Sequence, residues 1–138
     1  MHSKIIQISK KKNAEPEINW EDKPHRFADY WGKQEEENIE NHLKYALGNL
    51  TNISYNIEEM TLTVGSHEKF MQNLKNSISE VLKEEKLAFH KLNEIIIDGN
   101  TQTVFYDSDE NNYYSYTELQ NYFSEKTFYI IAIFDYHW

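Results

Sequence analysis

Near its C-terminus the chain carries a run, Phe128 to Tyr136, in which both alternating sets of side chains are apolar: Phe128, Ile130, Ala132 and Phe134 on one, Tyr129, Ile131 and Ile133 on the other. A strand with one face in water alternates apolar with polar residues. A strand apolar on both faces needs cover on both, so this run is expected to lie centrally in a sheet. The rest of the chain must supply its neighbours and its covers.

The candidate elements are short. Lys4 to Ser9 reads as a strand, with Ile5, Ile6 and Ile8 apolar. Lys10 to Glu21 is polar and contains Pro16, which predicts a loop. Pro24 suits a helix start, and Phe27, Tyr30 and Trp31 follow at helical spacing, with Gly32 as a stop. The next helix has Glu35 to Glu37 where an N-terminus favours negative charge. Ile39, Leu43, Ala46 and Leu47 form its apolar face and Gly48 ends it. From Ile57 the period becomes two: Met60, Leu62 and Val64 alternate with Thr61 and Thr63, as in a half-buried strand. Ser66 can cap the longest helix, whose stripe is Phe70, Leu74, Ile78, Val81 and Leu82, and the charged run Lys83 to Lys86 closes it.

Ile95 to Ile97, Asp98-Gly99 and Thr101 to Tyr106 have the form of a β-hairpin, because Asp-Gly supplies the positive φ angles of a tight turn. A second turn at Asp107 to Asn112 leads into a strand from Tyr113. Thr117 to Ser124 then reads as a short helix with Leu119, Tyr122 and Phe123 inward. This order predicts an α+β fold: a small antiparallel or mixed β-sheet with helices packed on one face.

At 138 residues the expectation is a single domain, 1–138. Cysteine is absent, which removes disulfides, thiolate metal sites and cysteine nucleophiles together. Met1 to Ser9 has no apolar signal core, and no window approaches about 20 apolar residues, so the expected location is cytoplasmic, without a membrane span. Arg26 is the single arginine among abundant Lys, Asn, Ile and Glu, a bias of AT-rich codons that points to a low-GC bacterium or a phage or other mobile element.

Charge divides the chain. Residues 1–33, the basic N-terminal strand, loop and short helix, carry seven basic and five acidic side chains; residues 34–138, the acidic body, carry seven basic and eighteen acidic ones, a net of −11. So negative a body repels phosphate backbones, which argues against direct nucleic-acid binding and for either simple solubility or a protein partner with a basic surface.

The richest local pattern is Asp107 to Glu118. Its oxygen-bearing residues Asp107, Asp109, Asn111, Ser115 and Glu118 fall at positions 1, 3, 5, 9 and 12 of a twelve-residue stretch. In this it resembles the calcium loop of the EF-hand family, and the resemblance implies those five as calcium ligands. It departs from the family where Asn112 replaces the turn glycine, where Tyr114 replaces a small aliphatic residue, and where the preceding segment reads as strand. The same letters fit a turn between two strands followed by a Ser115-x-x-Glu118 capping box. Tyr113, Tyr114 and Tyr116 stand among these acids, and tyrosine is enriched at protein interfaces. Asp107, Asp109, Glu110, Tyr113, Tyr114 and Tyr116 are therefore the expected partner-binding set. The competing possibility is a sheet that uses tyrosine for its strand propensity.

Catalytic patterns are thin. The six histidines include no pair four apart, so the helical two-histidine zinc pattern is missing, and Met71 stands where His67-Glu68 would need its second histidine. Asp135 and His137 share one face of a strand, and an Asp can orient a His base, but no serine elbow accompanies them. The four glycines are too far apart to cradle a phosphate. The expected function is thus a non-enzymatic, acidic protein-binding module without a cofactor, of the kind that inhibits a nuclease or another nucleic-acid-binding protein by mimicking phosphates. The alternatives are a small hydrolase or nuclease using His with carboxylates, and a calcium-binding structural domain.

Overall fold

A computed structural model describes residues 2–17, 30–33, 38–48, 50–83 and 103–137, and side chains at 2, 3, 30–33, 136 and 137 are not among what it describes. In chain order the elements are β1 (His2–Ser9), β2 (Tyr30–Lys33), α1 (Ile39–Leu47), β3 (Ile53–Asn56), β4 (Thr61–Val64), α2 (His67–Leu82), β5 (Thr103–Asp107), β6 (Asn112–Tyr114), α3 (Tyr116–Tyr122) and β7 (Thr127–His137). The fold is α+β, and the seven strands among the described residues form one mixed sheet.

Strand β7 is central, as its double apolar pattern predicts. The order is β3-β4-β7-β1-β5-β6, and β2 also pairs with β7. β7 is long enough to take β4 along Thr127–Tyr129 and β2 along Phe134–His137. β1 runs antiparallel to β7 on its other side and parallel to β5.

A register shift decides which faces the apolar residues of β7 cover. Ile8 pairs with Ile130 and Gln7 with Ala132, so Ile131 is an extra residue on β7. A bulge of one residue reverses the alternation beyond it. Ile130 and Ile133, three apart, therefore enter the same core as Phe128, together with Ile6, Ile8, Leu62, Val64 and Phe105. Ala132 and Phe134 join Ile5 and Tyr106 in a second cluster. The simple two-face division expected of the run is corrected accordingly.

The larger core takes Leu43, Ala46 and Leu47 from α1, Phe70 from α2, and Tyr116 and Leu119 from α3. Ser66 caps α2, its side chain accepting the Lys69 amide at 3.2 Å. The expected stripe of α2 is only partly inward: Phe70 and Val81 are buried, but Leu82, at the last turn, is exposed.

Two other expectations change, and one strand appears that the sequence reading does not contain. Tyr30 to Lys33 is a strand, not the end of a helix, while the proposed helix start at Pro24 lies outside the described residues. Ile53–Asn56 forms a strand paired with β4, closing a hairpin at residues 57–60. Its turn is held by Asn56, whose Oδ1 accepts the amides of Glu58 and Glu59 at 3.0 and 3.1 Å. On α3, Tyr122 is exposed and Gln120 is buried in its place. The expected Ile95–Tyr106 hairpin lies outside the described residues except for β5, which pairs with β1 and β6.

Candidate functional site

The acidic, tyrosine-rich stretch folds as strand, turn and strand, then a capped helix. Most of its polar atoms are turned to structural work. Asp107 ends β5 and is buried, and its Oδ1 accepts the Asp109 amide at 3.0 Å. Burial pushes the Asp107 carboxyl above its ordinary value, against the pull of the Asp109 and Glu110 amides. Asp109 reaches back to the end of β1: Ser9 donates its hydroxyl to Oδ1 and the Lys10 amide donates to Oδ2, both at 2.7 Å. Partial burial raises Asp109, but these two donors and the charges of Lys10 and Lys11 outweigh it and hold the carboxyl below its usual value. Glu110 is exposed at the tip of the turn.

The tyrosines differ from one another. Tyr113 is half-buried and lies 4.6 Å from the Tyr106 ring, centroid to centroid. Tyr114 is half-buried, edge-on to Phe123 at 5.0 Å. Tyr116 is buried, and its hydroxyl donates to the Thr51 carbonyl at 2.6 Å. The most exposed aromatic ring among the described residues is one placed inside by the sequence pattern. Tyr122 is 67 % exposed, with its ring 6.0 Å from Tyr114. The signal for it was present: with the helix begun at Tyr116, the i, i+3, i+4 face is Tyr116, Leu119 and Gln120, and Tyr122 falls off it.

Of the residues in the EF-hand resemblance, the three acids Asp107, Asp109 and Glu118 do not gather into one group. Asn111 Oδ1 accepts the Tyr106 hydroxyl at 2.7 Å, Asp109 is held by Ser9 and Lys10, and Glu118 takes the Ser115 amide at 3.2 Å to complete the capping box. The left-handed residue of the turn is Asn111 (φ 51°), one position before the place the calcium loop reserves for glycine. Among the described residues no group of three or more His, Cys, Asp or Glu side chains is placed to hold a metal.

Asp135 has a cation partner across the sheet. Lys4 lies opposite it in register, and the Lys4 ammonium is 3.3 Å from its Oδ1. The same ammonium is 3.2 Å from His42 Nδ1 and 5.6 Å from the centre of the Tyr45 ring. The His137 side chain lies outside the described residues. Lys4 and His42 are 38 residues apart, on a strand and a helix, and nothing local in the sequence links them.

A cleft of about 790 Å³ opens at the stretch of β7 between its β4 and β2 partners, lined in part by Ile39, Met60, Tyr129 and Ile131 with Lys12 and Glu58. It shares no residue with the Asp107–Tyr116 set. Among the described residues no helix is long and apolar enough to cross a membrane. Comparison of the chain with protein-family models, with curated proteins and with solved structures finds no match in any of the three.

Proposed function

We propose that the chain is a non-catalytic binding domain for a protein with a basic surface, and that it docks through the outer side of α3 and the neighbouring strand β6. The observation that carries this is Tyr122, a large ring 67 % exposed on the acidic body of the chain. Glu118 stands one turn before it on the same helix and is exposed, and Tyr114 of β6 flanks it. Glu110 and Glu125 add exposed carboxylates in the adjoining turns. An exposed aromatic with carboxylates on its own helix and in the adjoining turns is the composition of an interface anchor with an electrostatic rim. Among basic protein surfaces, those shaped for nucleic-acid phosphates fit such a rim best, so a nuclease or another nucleic-acid-binding protein is the favoured partner and inhibition the favoured outcome.

The test is affinity purification from the native host with the full chain as bait, at low and at raised salt, beside Tyr122→Ala and Glu118→Gln. The glutamine keeps the capping box while removing charge. A basic protein recovered at low salt, released by salt and lost with Tyr122→Ala is expected. Recovery of no basic protein, or of one indifferent to both salt and Tyr122→Ala, would overturn the proposal.

A further inference from the structure

Lys4 is 7 % exposed, in the interior of the sheet, and its ammonium spans two partners on different elements. One is Asp135 on β7 at 3.3 Å, the other His42 Nδ1 on α1 at 3.2 Å. An ammonium has three donors and no acceptor. In this contact Nδ1 must therefore accept, which makes His42 the neutral tautomer with its proton on Nε2. Protonating His42 fills Nδ1, removes the acceptor and leaves two cations facing each other. We propose that this contact is an acid-sensitive latch: protonation of His42 releases α1 from β1 and β7.

Among the described groups facing His42, Lys4 of β1 opposes its protonation and Asp135 of β7 favours it. On α1 itself, Tyr45 lies over Lys4, while Glu40 and Lys44 pair with each other at 3.4 Å on the exposed side. β5 offers Thr103, whose hydroxyl donates to the Ala46 carbonyl at 2.8 Å and does not titrate. The β2 residue in register with Asp135 is Gly32, and the side chains of β2 lie outside the described residues. Partial burial holds His42 below 6.5, Lys4 adds to this, and Asp135 acts against it. With the folded value depressed, the latch is fully closed above 6.5 and weakens as pH falls through the folded value. Because α1 supplies Leu43, Ala46 and Leu47 to the larger core, its release exposes apolar surface that the neutral protein hides.

The test is an NMR titration of the assigned His42 ring in the full chain, with hydrogen exchange of the α1 amides from about pH 7.5 to 5, corrected for intrinsic rates. His42 is expected to titrate below 6.5. Each unit of depression corresponds to about a tenfold loss of α1 protection on full protonation. His42→Gln, whose carbonyl accepts from Lys4 without titrating, is expected to hold α1 protection constant over the range. A His42 that titrates at or above 6.5 would overturn the latch, and so would equal loss of protection in wild type and His42→Gln. If the variant folds poorly, the wild type still decides: α1 protection that falls along the His42 titration supports the latch, and protection that stays constant while His42 protonates overturns it.

Discussion

Ser9 and Asp109 are 100 residues apart in the chain and 2.7 Å apart in the fold, where the serine hydroxyl donates to the aspartate. The Lys10 amide binds the other carboxylate oxygen, and the Lys11 amide donates to Ser9 Oγ at 2.9 Å. One carboxylate thus ties the tip of the β5–β6 turn to the point where the chain leaves β1. The Ser108 amide adds a bond to the Ile8 carbonyl at 3.1 Å.

From this it follows that Asp109→Ala lowers stability by about 1–2 kcal/mol, less than a fully buried pair of charge-assisted bonds because the site is partly in water. Reversal to Lys at Asp109 costs more, since it faces Lys10 and Lys11. Glu110→Lys, at the exposed tip, is expected within about 0.5 kcal/mol of wild type. Urea unfolding of the three variants checks this. A fall in stability for Asp109→Ala no larger than for Glu110→Lys would show that the carboxylate bridge contributes nothing.

Asp107 makes stability fall as pH rises. Burial raises its folded value above the ordinary 3.8, so the folded chain holds this proton more tightly than the unfolded chain. Its favourable contribution is present below that ordinary value and is lost as pH rises through the folded one. Asp107→Asn keeps one acceptor for the Asp109 amide and removes the buried charge. Its stability relative to wild type is therefore expected to rise between about pH 3 and pH 7, measured by thermal melts across that range. A flat or falling difference would mean that the Asp109 and Glu110 amides compensate the ionised group in full.

How much of this was legible in the sequence follows from how far each signal travels. The central place of β7 was legible because its pattern is local: apolar residues on both faces can mean little else. Its bulge was not, because nothing marks Ile131 as the residue β1 will skip. Tyr30 to Lys33 fits a helix end as well as a strand, and what selects the strand is a partner about 100 residues on, Phe134 to His137. The β3–β4 hairpin hid behind Met60, which adopts φ 52° without being a turn-forming residue, although Asn56 carried the Asx signal. The Asp107–Tyr116 stretch was correctly placed as a turn, a strand and a capped helix. Which of its side chains face water depends on Ser9, Thr51 and Tyr106, and only the folded chain brings those together.

Gly65 precedes the N-cap of α2, and its amide donates to the Asn52 carbonyl at 2.8 Å. A Cβ built there would overlap the Asn52 side-chain amide. Both of its donors are committed: Nδ2 donates to the Ser66 carbonyl at 3.0 Å and to Oε1 of buried Gln120 at 2.8 Å. Asn52 itself is held at φ 62°. Gly65→Ala is expected to displace Asn52, strand the Gln120 oxygen and cost about 1–3 kcal/mol. Gln120→Ala in the Gly65→Ala background should then cost less than in wild type, because the bond to Asn52 is already broken. Chemical denaturation of the four members of that cycle tests both claims, and strict additivity would refute the coupling.

Tyr116 and Tyr122 stand at opposite ends of α3 and should respond to substitution in opposite ways. Tyr116 is 8 % exposed and its ring meets Phe70 edge-on at 5.9 Å. Because its proton goes to the Thr51 carbonyl, the Thr51 hydroxyl, 3.0 Å away, must donate to Tyr116 in turn. Tyr116→Phe keeps the ring contact and removes both bonds, for a loss of about 0.5–1.5 kcal/mol, moderated by water reaching exposed Thr51. Tyr122→Phe keeps the ring on the surface and is expected to leave stability within about 0.5 kcal/mol of wild type. If Tyr122→Phe destabilises the free protein as much as Tyr116→Phe does, the Tyr122 hydroxyl serves the fold, and its ring is not held in reserve for a partner.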